Sequence, residues 1–225
     1  MTAGAGIAAD RRDARFRAMG SDCHVVVVDG SDDDLRWAEH EARRLEALWT
    51  RFDAASELSR LNARAGSAVP ASPELMMLAR RAARAERLTA GRFDPLMGSE
   101  IVALGYDRDH ASLTPPGAPS ARVTFAPAVR PASQGLRVDE ASRSVLVPSG
   151  RVLDPGGIGK GLAADIISAG LLRRGAAGAL VNMGGDIRCR GHASSGEGTI
   201  AVDHPRSEEH TSELQSRQYL VCRLL

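Results

Sequence analysis

Apolar and polar positions along this chain follow two different periods, and the periods predict its elements. Cys23-His24-Val25-Val26-Val27-Val28 is a β-branched run ended by Asp29-Gly30-Ser31, the pattern of a buried strand. Leu35, Ala38, Ala42, Leu45, Leu48, Trp49 and Phe52 then recur at spacings of three and four, which predicts a helix with one apolar face. Ser72-Pro73-Glu74 supplies an N-cap, a first-turn proline and an acid for a second helix carrying Leu75, Leu78, Ala82 and Ala85, with Gly91 as its stop. Leu136-Arg137-Val138 and Val145-Leu146-Val147 predict a hairpin, and Val152-Leu153 leads into a glycine loop. Leu162, Ile166, Ala169 and Leu172 predict a further helix, and Ala179-Leu180-Val181 a short buried strand with Thr199-Ile200-Ala201-Val202 pairing nearby. Ala111 to Gly135, rich in Pro, Ser and Ala, reads as a long irregular surface segment. No internal repeat is evident.

The glycine loop carries the strongest chemical signal. Leu153-Asp154-Pro155-Gly156-Gly157-Ile158-Gly159-Lys160-Gly161 holds the only lysine in the chain, set among four glycines and followed at once by a helix. Glycines let backbone N–H groups approach an anion, and a helix N-terminus favours negative charge, so the segment predicts a phosphate site. Neither familiar phosphate loop fits. The Walker pattern needs glycine at Asp154 and Ser or Thr at Gly161, and the dinucleotide fingerprint needs glycine at Leu162. The alternative is a turn that only joins a strand to a helix.

Composition narrows the class. At 225 residues, 43% hydrophobic and a net charge of +1, the chain can bury a core and shows no electrostatic footprint for nucleic acid. No stretch approaches the length of a membrane span, and Met1 to Arg12 lacks the apolar run of a secretory signal. The chain as written is therefore expected in the cytoplasm, and a signal or lipid anchor ahead of Met1 is left open. Cys23, Cys189 and Cys222 are odd in number and far apart, the pattern of reduced structural thiols, and His24 reads as a core or edge residue of its strand.

The last twenty residues differ from the rest. Residues 1–205 are dense in Ala and Gly, whereas Arg206 to Leu225 contain neither. Arg206 to Ser216 resembles the translation of a common short-read sequencing adapter, so 206–225 is expected to be non-native and the natural chain to continue past Pro205.

Five ordered motifs resemble one family. Ala18-Met19-Gly20-Ser21, Ser56-Glu57-Leu58-Ser59-Arg60-Leu61-Asn62, Gly91-Arg92-Phe93-Asp94-Pro95, Asp154 through Lys160, and Asn182-Met183-Gly184-Gly185-Asp186 look like the ApbE family of Mg²⁺-dependent FAD:protein FMN transferases. The resemblance covers roughly residues 16 to 205. It implies an α+β fold, a mixed α/β single globular unit of the ApbE-like type, incomplete at its C-terminus. The implied layout is a flexible N-terminus at 1–15, a partial flavin transferase domain at 16–205, and the non-native tail.

Carried over by residue, the resemblance implies that Met19, Phe52, Arg92, Phe93, Asp94, Asp154 and Lys160 surround FAD, with Lys160 catalytic and the backbone carbonyl of Gly157 a Mg²⁺ ligand. Phe52 would stack on the isoalloxazine, or else simply close the core face of the first helix. Asp94 would contact flavin or serve as a turn carboxylate before Pro95, and Arg92, where the family usually has a small residue, would contribute backbone only. Asp186 would support the metal indirectly or stabilise its turn. The implied reaction transfers FMN from FAD to a Thr or Ser hydroxyl of a target flavoprotein and releases AMP. The alternatives are a FAD pyrophosphatase giving FMN and AMP, and a non-catalytic flavin-binding protein. The family's remaining machinery, namely a His-containing motif, a D-P-x-T-G stretch, and the Asp and Thr completing the metal site, does not occur between Thr199 and Leu225. Transfer by this chain is therefore expected to be impaired.

Overall fold

A computed structural model describes residues 9–104 and 135–193. Its elements run β1 (Arg11–Ala18), β2 (Ser21–Val28), α1 (Asp32–Trp49), α2 (Glu57–Ala63), β3 (Ala68–Pro70), α3 (Pro73–Leu88), α4 (Gly98–Ala103), β4 (Arg137–Asp139), β5 (Ser144–Leu146), α5 (Gly159–Arg173), β6 (Gly178–Met183) and β7 (Asp186–Gly191). The strands form a four-stranded antiparallel sheet in the order β1-β2-β6-β7 and a small sheet in the order β3-β5-β4. Helix α1 packs on β1 and β2, α5 on β6 and β7, and the two helices touch. Val25, Val27, Leu45, Ile167, Leu171 and Val181 are fully buried between these layers. Mixed helices and antiparallel sheets in one unit match the α+β expectation.

Three helices start as their sequences predict or allow. The side chains of Ser31, Ser56 and Ser72 each accept a hydrogen bond from the backbone N–H three residues on, and Pro73 takes the first turn of α3. The hairpin of residues 136–147 forms with Val138 opposite Val145, and β3 adds the third strand.

Several expectations need correction. Residues 11–15, read as part of a flexible N-terminus, belong to β1; inward Arg12, Ala14, Phe16 and Ala18 alternate with exposed Arg11, Asp13, Arg15 and Arg17, and every residue pairs with β2. Helix α1 ends at Trp49, so Phe52 lies beyond it and is 49% exposed rather than closing its core face. Residues 186–191 form a strand that the sequence reading missed, reached by a two-residue turn at Gly184-Gly185. On α5 the buried positions are Gly159, Leu162, Ala163, Ala164, Ile167, Ser168, Gly170 and Leu171, whereas Ile166, Ala169 and Leu172 are half-buried, because the helix is covered by the sheet and by α1. Gly170 permits that approach: a Cβ there would lie 2.1 Å from the Trp37 ring. The irregular segment up to residue 134, the strand at 199–202, Cys222 and the 206–225 tail lie outside the described residues. Cys23 is a buried thiol, the environment expected of a reduced structural cysteine.

Candidate functional site

Both hairpins of the large sheet turn at the same end. Met19 (φ 52°) and Gly20 (φ 66°) join β1 to β2, and Gly184 (φ 64°) and Gly185 (φ 98°) join β6 to β7. Two successive positive φ values suit a tight hairpin, but a bulky residue such as Met19 adopts them only where its surroundings hold it. Here the Met19 N–H donates to Glu46 Oε1 at 2.7 Å. The tips abut so closely that a Cβ on Gly184 would stand 2.5 Å from that of Ser21.

The glycine loop meets these tips. Lys160 is the second residue of α5, and its half-buried stem runs over Gly184 to bring Nζ within 3.4 Å of Ser21 Oγ. Among the described residues no carboxylate pairs with that ammonium. Unlike α1, α2 and α3, α5 has no side-chain cap and no acid in its first turn. Among the described residues the N–H groups of Gly157, Lys160 and Gly161 meet no acceptor. These donors, the positive helix end and the Lys160 charge together favour negative charge at this spot. Asp186 begins β7 beside it, 4.0 Å from where a Cβ of Gly161 would be.

Two aromatic residues flank the loop. The edge of Phe93 lies over Gly157, where a Cβ would come within 2.7 Å of Phe93 Cε2, so glycine is required for this packing. Phe52 presents its ring with the Arg51 guanidinium 4.4 Å from the centroid. Asp154 pairs with Arg51 through Oδ2 at 2.7 Å and accepts the Gly156 N–H through Oδ1 at 2.7 Å.

Asp154, Gly157 and Lys160 thus belong to the loop and the start of α5, Phe93 packs on Gly157, Phe52 is linked to Asp154 through Arg51, and Met19 sits in the hairpin tip whose Ser21 meets Lys160. Asp94 and Arg92 stand differently. Asp94 accepts the Leu96 N–H at 2.9 Å and pairs with Arg151 at 2.9 Å, the geometry of a turn carboxylate. Arg92 is exposed, and its backbone N–H donates to the Thr89 carbonyl. Burial, reinforced by the Asp94 charge, pushes the nearby Glu86 carboxyl up despite Arg151 and Arg87. Sequence reasoning missed Arg51 as a partner of Asp154. It also missed Asn62, whose amide grips Leu153 just before the loop. Asn62 closes the Ser56–Asn62 motif, but nothing in local spacing reveals a partner so distant in the chain.

Among the described residues no group of three or more His, Cys, Asp or Glu could hold a metal, and no helix is long and apolar enough to cross a membrane. The fold is similar to several solved structures, among them three of ApbE proteins. For the ApbE protein from Thermotoga maritima the identity is 23% and the TM-score 0.71, with 88% of this chain covering 64% of that one. For the apo form of the flavinyl transferase ApbE from Pseudomonas stutzeri the values are 20% and 0.68, with 87% covering 66%. For the flavin transferase ApbE from Vibrio cholerae they are 20% and 0.67, with 88% covering 65%. This chain therefore spans just under two thirds of their lengths. No curated protein matches it in sequence. The ApbE family model matches residues 19–222, a span that takes in most of the chain, and the chain accordingly belongs to the ApbE family.

Proposed function

We propose that the chain binds FAD across the α5 N-terminus and the two hairpin tips, as the flavin-binding part of a Mg²⁺-dependent FMN transferase. The whole protein would pass FMN from FAD to a Thr or Ser hydroxyl of a target flavoprotein and release AMP. The observation that carries the reading is the convergence at one sheet end of an uncapped helix N-terminus, an ammonium paired with no carboxylate among the described residues, and an exposed aromatic ring.

Each group has a role that its position supports. The amides of Gly157, Lys160 and Gly161 would donate to the diphosphate, and the Lys160 ammonium would offset charge growing on the transferred phosphorus centre. Phe52 would stack on the isoalloxazine with its outer face. Gly157, exposed at the loop, could give its carbonyl oxygen to Mg²⁺, a hard ion that takes carbonyl, water and phosphate oxygens. Mg²⁺ there would supply charge neutralisation on the phosphates. One carbonyl suits such an ion as a partial ligand set only, so the metal site would need further oxygens from outside the described residues.

The test is to titrate the 225-residue chain with FAD, with and without Mg²⁺, and to follow flavin fluorescence. A Thr-bearing flavoprotein acceptor is then added and weighed by mass spectrometry. Saturable FAD binding is expected, with FMN transfer weak or absent in the chain as it stands. Absence of FAD binding would overturn the reading. Release of FMN and AMP without acceptor would identify hydrolysis instead.

A further inference from the structure

The loop that would take a diphosphate contains a carboxylate. Asp154 turns Oδ1 back onto the Gly156 N–H at 2.7 Å, and a Cβ on Gly156 would stand 2.7 Å from that oxygen, so the acid sits within the first turn of the loop. An uncompensated negative charge there would repel phosphate. Arg51 compensates it: Nε lies 2.7 Å from Oδ2, and the two side chains are only 12% and 11% exposed. Little water reaches the pair, so the cancellation is weakly screened.

The same guanidinium has a second contact. Its carbon lies 4.4 Å from the centroid of the Phe52 ring, and Phe52 remains 49% exposed. Arg51 thus covers one face of the ring in a residue that stays about half exposed. Phe52 belongs to no helix or strand, since α1 ends at Trp49 and α2 begins at Glu57. Its backbone N–H donates to Thr50 Oγ1 at 3.2 Å, and the guanidinium over the ring face favours one orientation of the ring.

Resting on the reading that this site takes FAD, we infer that Arg51 is a flavin-positioning residue that couples the two halves of the ligand site. Through Phe52 it sets the stacking surface for the isoalloxazine, and through Asp154 it makes the glycine loop acceptable to a diphosphate. A planar cation suits both tasks. Lysine could neutralise Asp154, but it lacks a flat face to lie against the ring.

Separate probes for the two halves test this in the full 225-residue chain: riboflavin carries the ring system without phosphate, and ADP carries the diphosphate without flavin. Arg51→Met should weaken FAD and ADP binding about tenfold or more, and should abolish the visible circular dichroism induced in bound riboflavin. Arg51→Lys should keep ADP affinity within about twofold of wild type yet lose the riboflavin dichroism. A merely structural arginine would change the fraction folded, checked by far-ultraviolet dichroism, but not the affinities and flavin signal of the folded protein. Arg51→Met with unchanged FAD affinity and flavin dichroism would overturn the inference and leave the FAD reading standing. If Arg51→Met does not fold, the lysine variant decides, and wild-type riboflavin dichroism in it would overturn the inference. Failure of the wild-type chain to bind FAD, riboflavin and ADP would overturn the functional reading and this inference with it.

Discussion

The side-chain amide of Asn62 imitates a neighbouring strand for Leu153, 91 residues away: Nδ2 donates to the Leu153 carbonyl at 2.9 Å, and the Leu153 N–H donates to Oδ1 at 2.9 Å. Leu153 is buried and immediately precedes Asp154, so this two-point grip sets where the glycine loop begins. Helix α2, started by the Ser56 cap, delivers Asn62 near its end.

Asn62→Leu should therefore cost stability and loosen the loop together. Leaving the Leu153 N–H and C=O buried without partners costs about 1–3 kcal/mol for each group. Urea unfolding should show a lower midpoint, and FAD affinity of the folded protein should also fall. Unchanged values of both would mean that water or another group replaces the amide.

Lys160→Met should weaken FAD binding with little effect on the fold, because among the described residues its Nζ has one hydrogen-bond partner, Ser21 Oγ at 3.4 Å. A charge-assisted hydrogen bond to phosphate contributes about 1.5–3 kcal/mol, so about a tenfold or greater rise in Kd is expected. Calorimetric titration with FAD beside thermal melts checks this; equal affinity would make Lys160 a bystander.

Gly157→Val tests the packing of loop against ring. Its Cβ would collide with Phe93 Cε2 at 2.7 Å, so either Phe93 or the loop must shift. FAD affinity should drop while the melting temperature changes by only a few degrees, since Gly157 is exposed and outside the core.

A pH effect is expected at the opposite end of α1. Burial alone would raise the Asp34 carboxyl, but the Ser31 N–H and hydroxyl and the Arg174 guanidinium outweigh it and hold the group below its usual range. The folded-state value lies below the unfolded one. This contribution is therefore complete above the ordinary carboxylate range and is lost as pH falls through the depressed value. Wild type should exceed Asp34→Asn in stability at neutral pH, and the gap should close below about pH 4. Urea midpoints across that range measure it; a gap independent of pH would assign the effect to packing.

What was legible in the sequence was what local chemistry writes. Ser72-Pro73 announced α3 because a cap and a first-turn proline act on their own neighbours, and the valines of β2 announced a strand by burial alone. Lys160 and its glycines marked the candidate site for the same reason. Strand β1 was harder to see because four arginines share only eight residues with its inward side chains, although the alternation was there. Phe52 continued the spacing of α1 past the point where Thr50 turns extended, so periodicity overran the helix. The links Arg51–Asp154 and Asn62–Leu153 join segments remote in sequence, and no local pattern records them.

With every other strong base a guanidinium, Lys160 and the N-terminal amine are the only primary amines the chain offers to an acylating reagent. A chemical label read by mass therefore has two addresses, and one of them is the glycine loop itself. Protection of that address by added ligand reports site occupancy directly, in an unmodified protein and without any optical signal from the ligand.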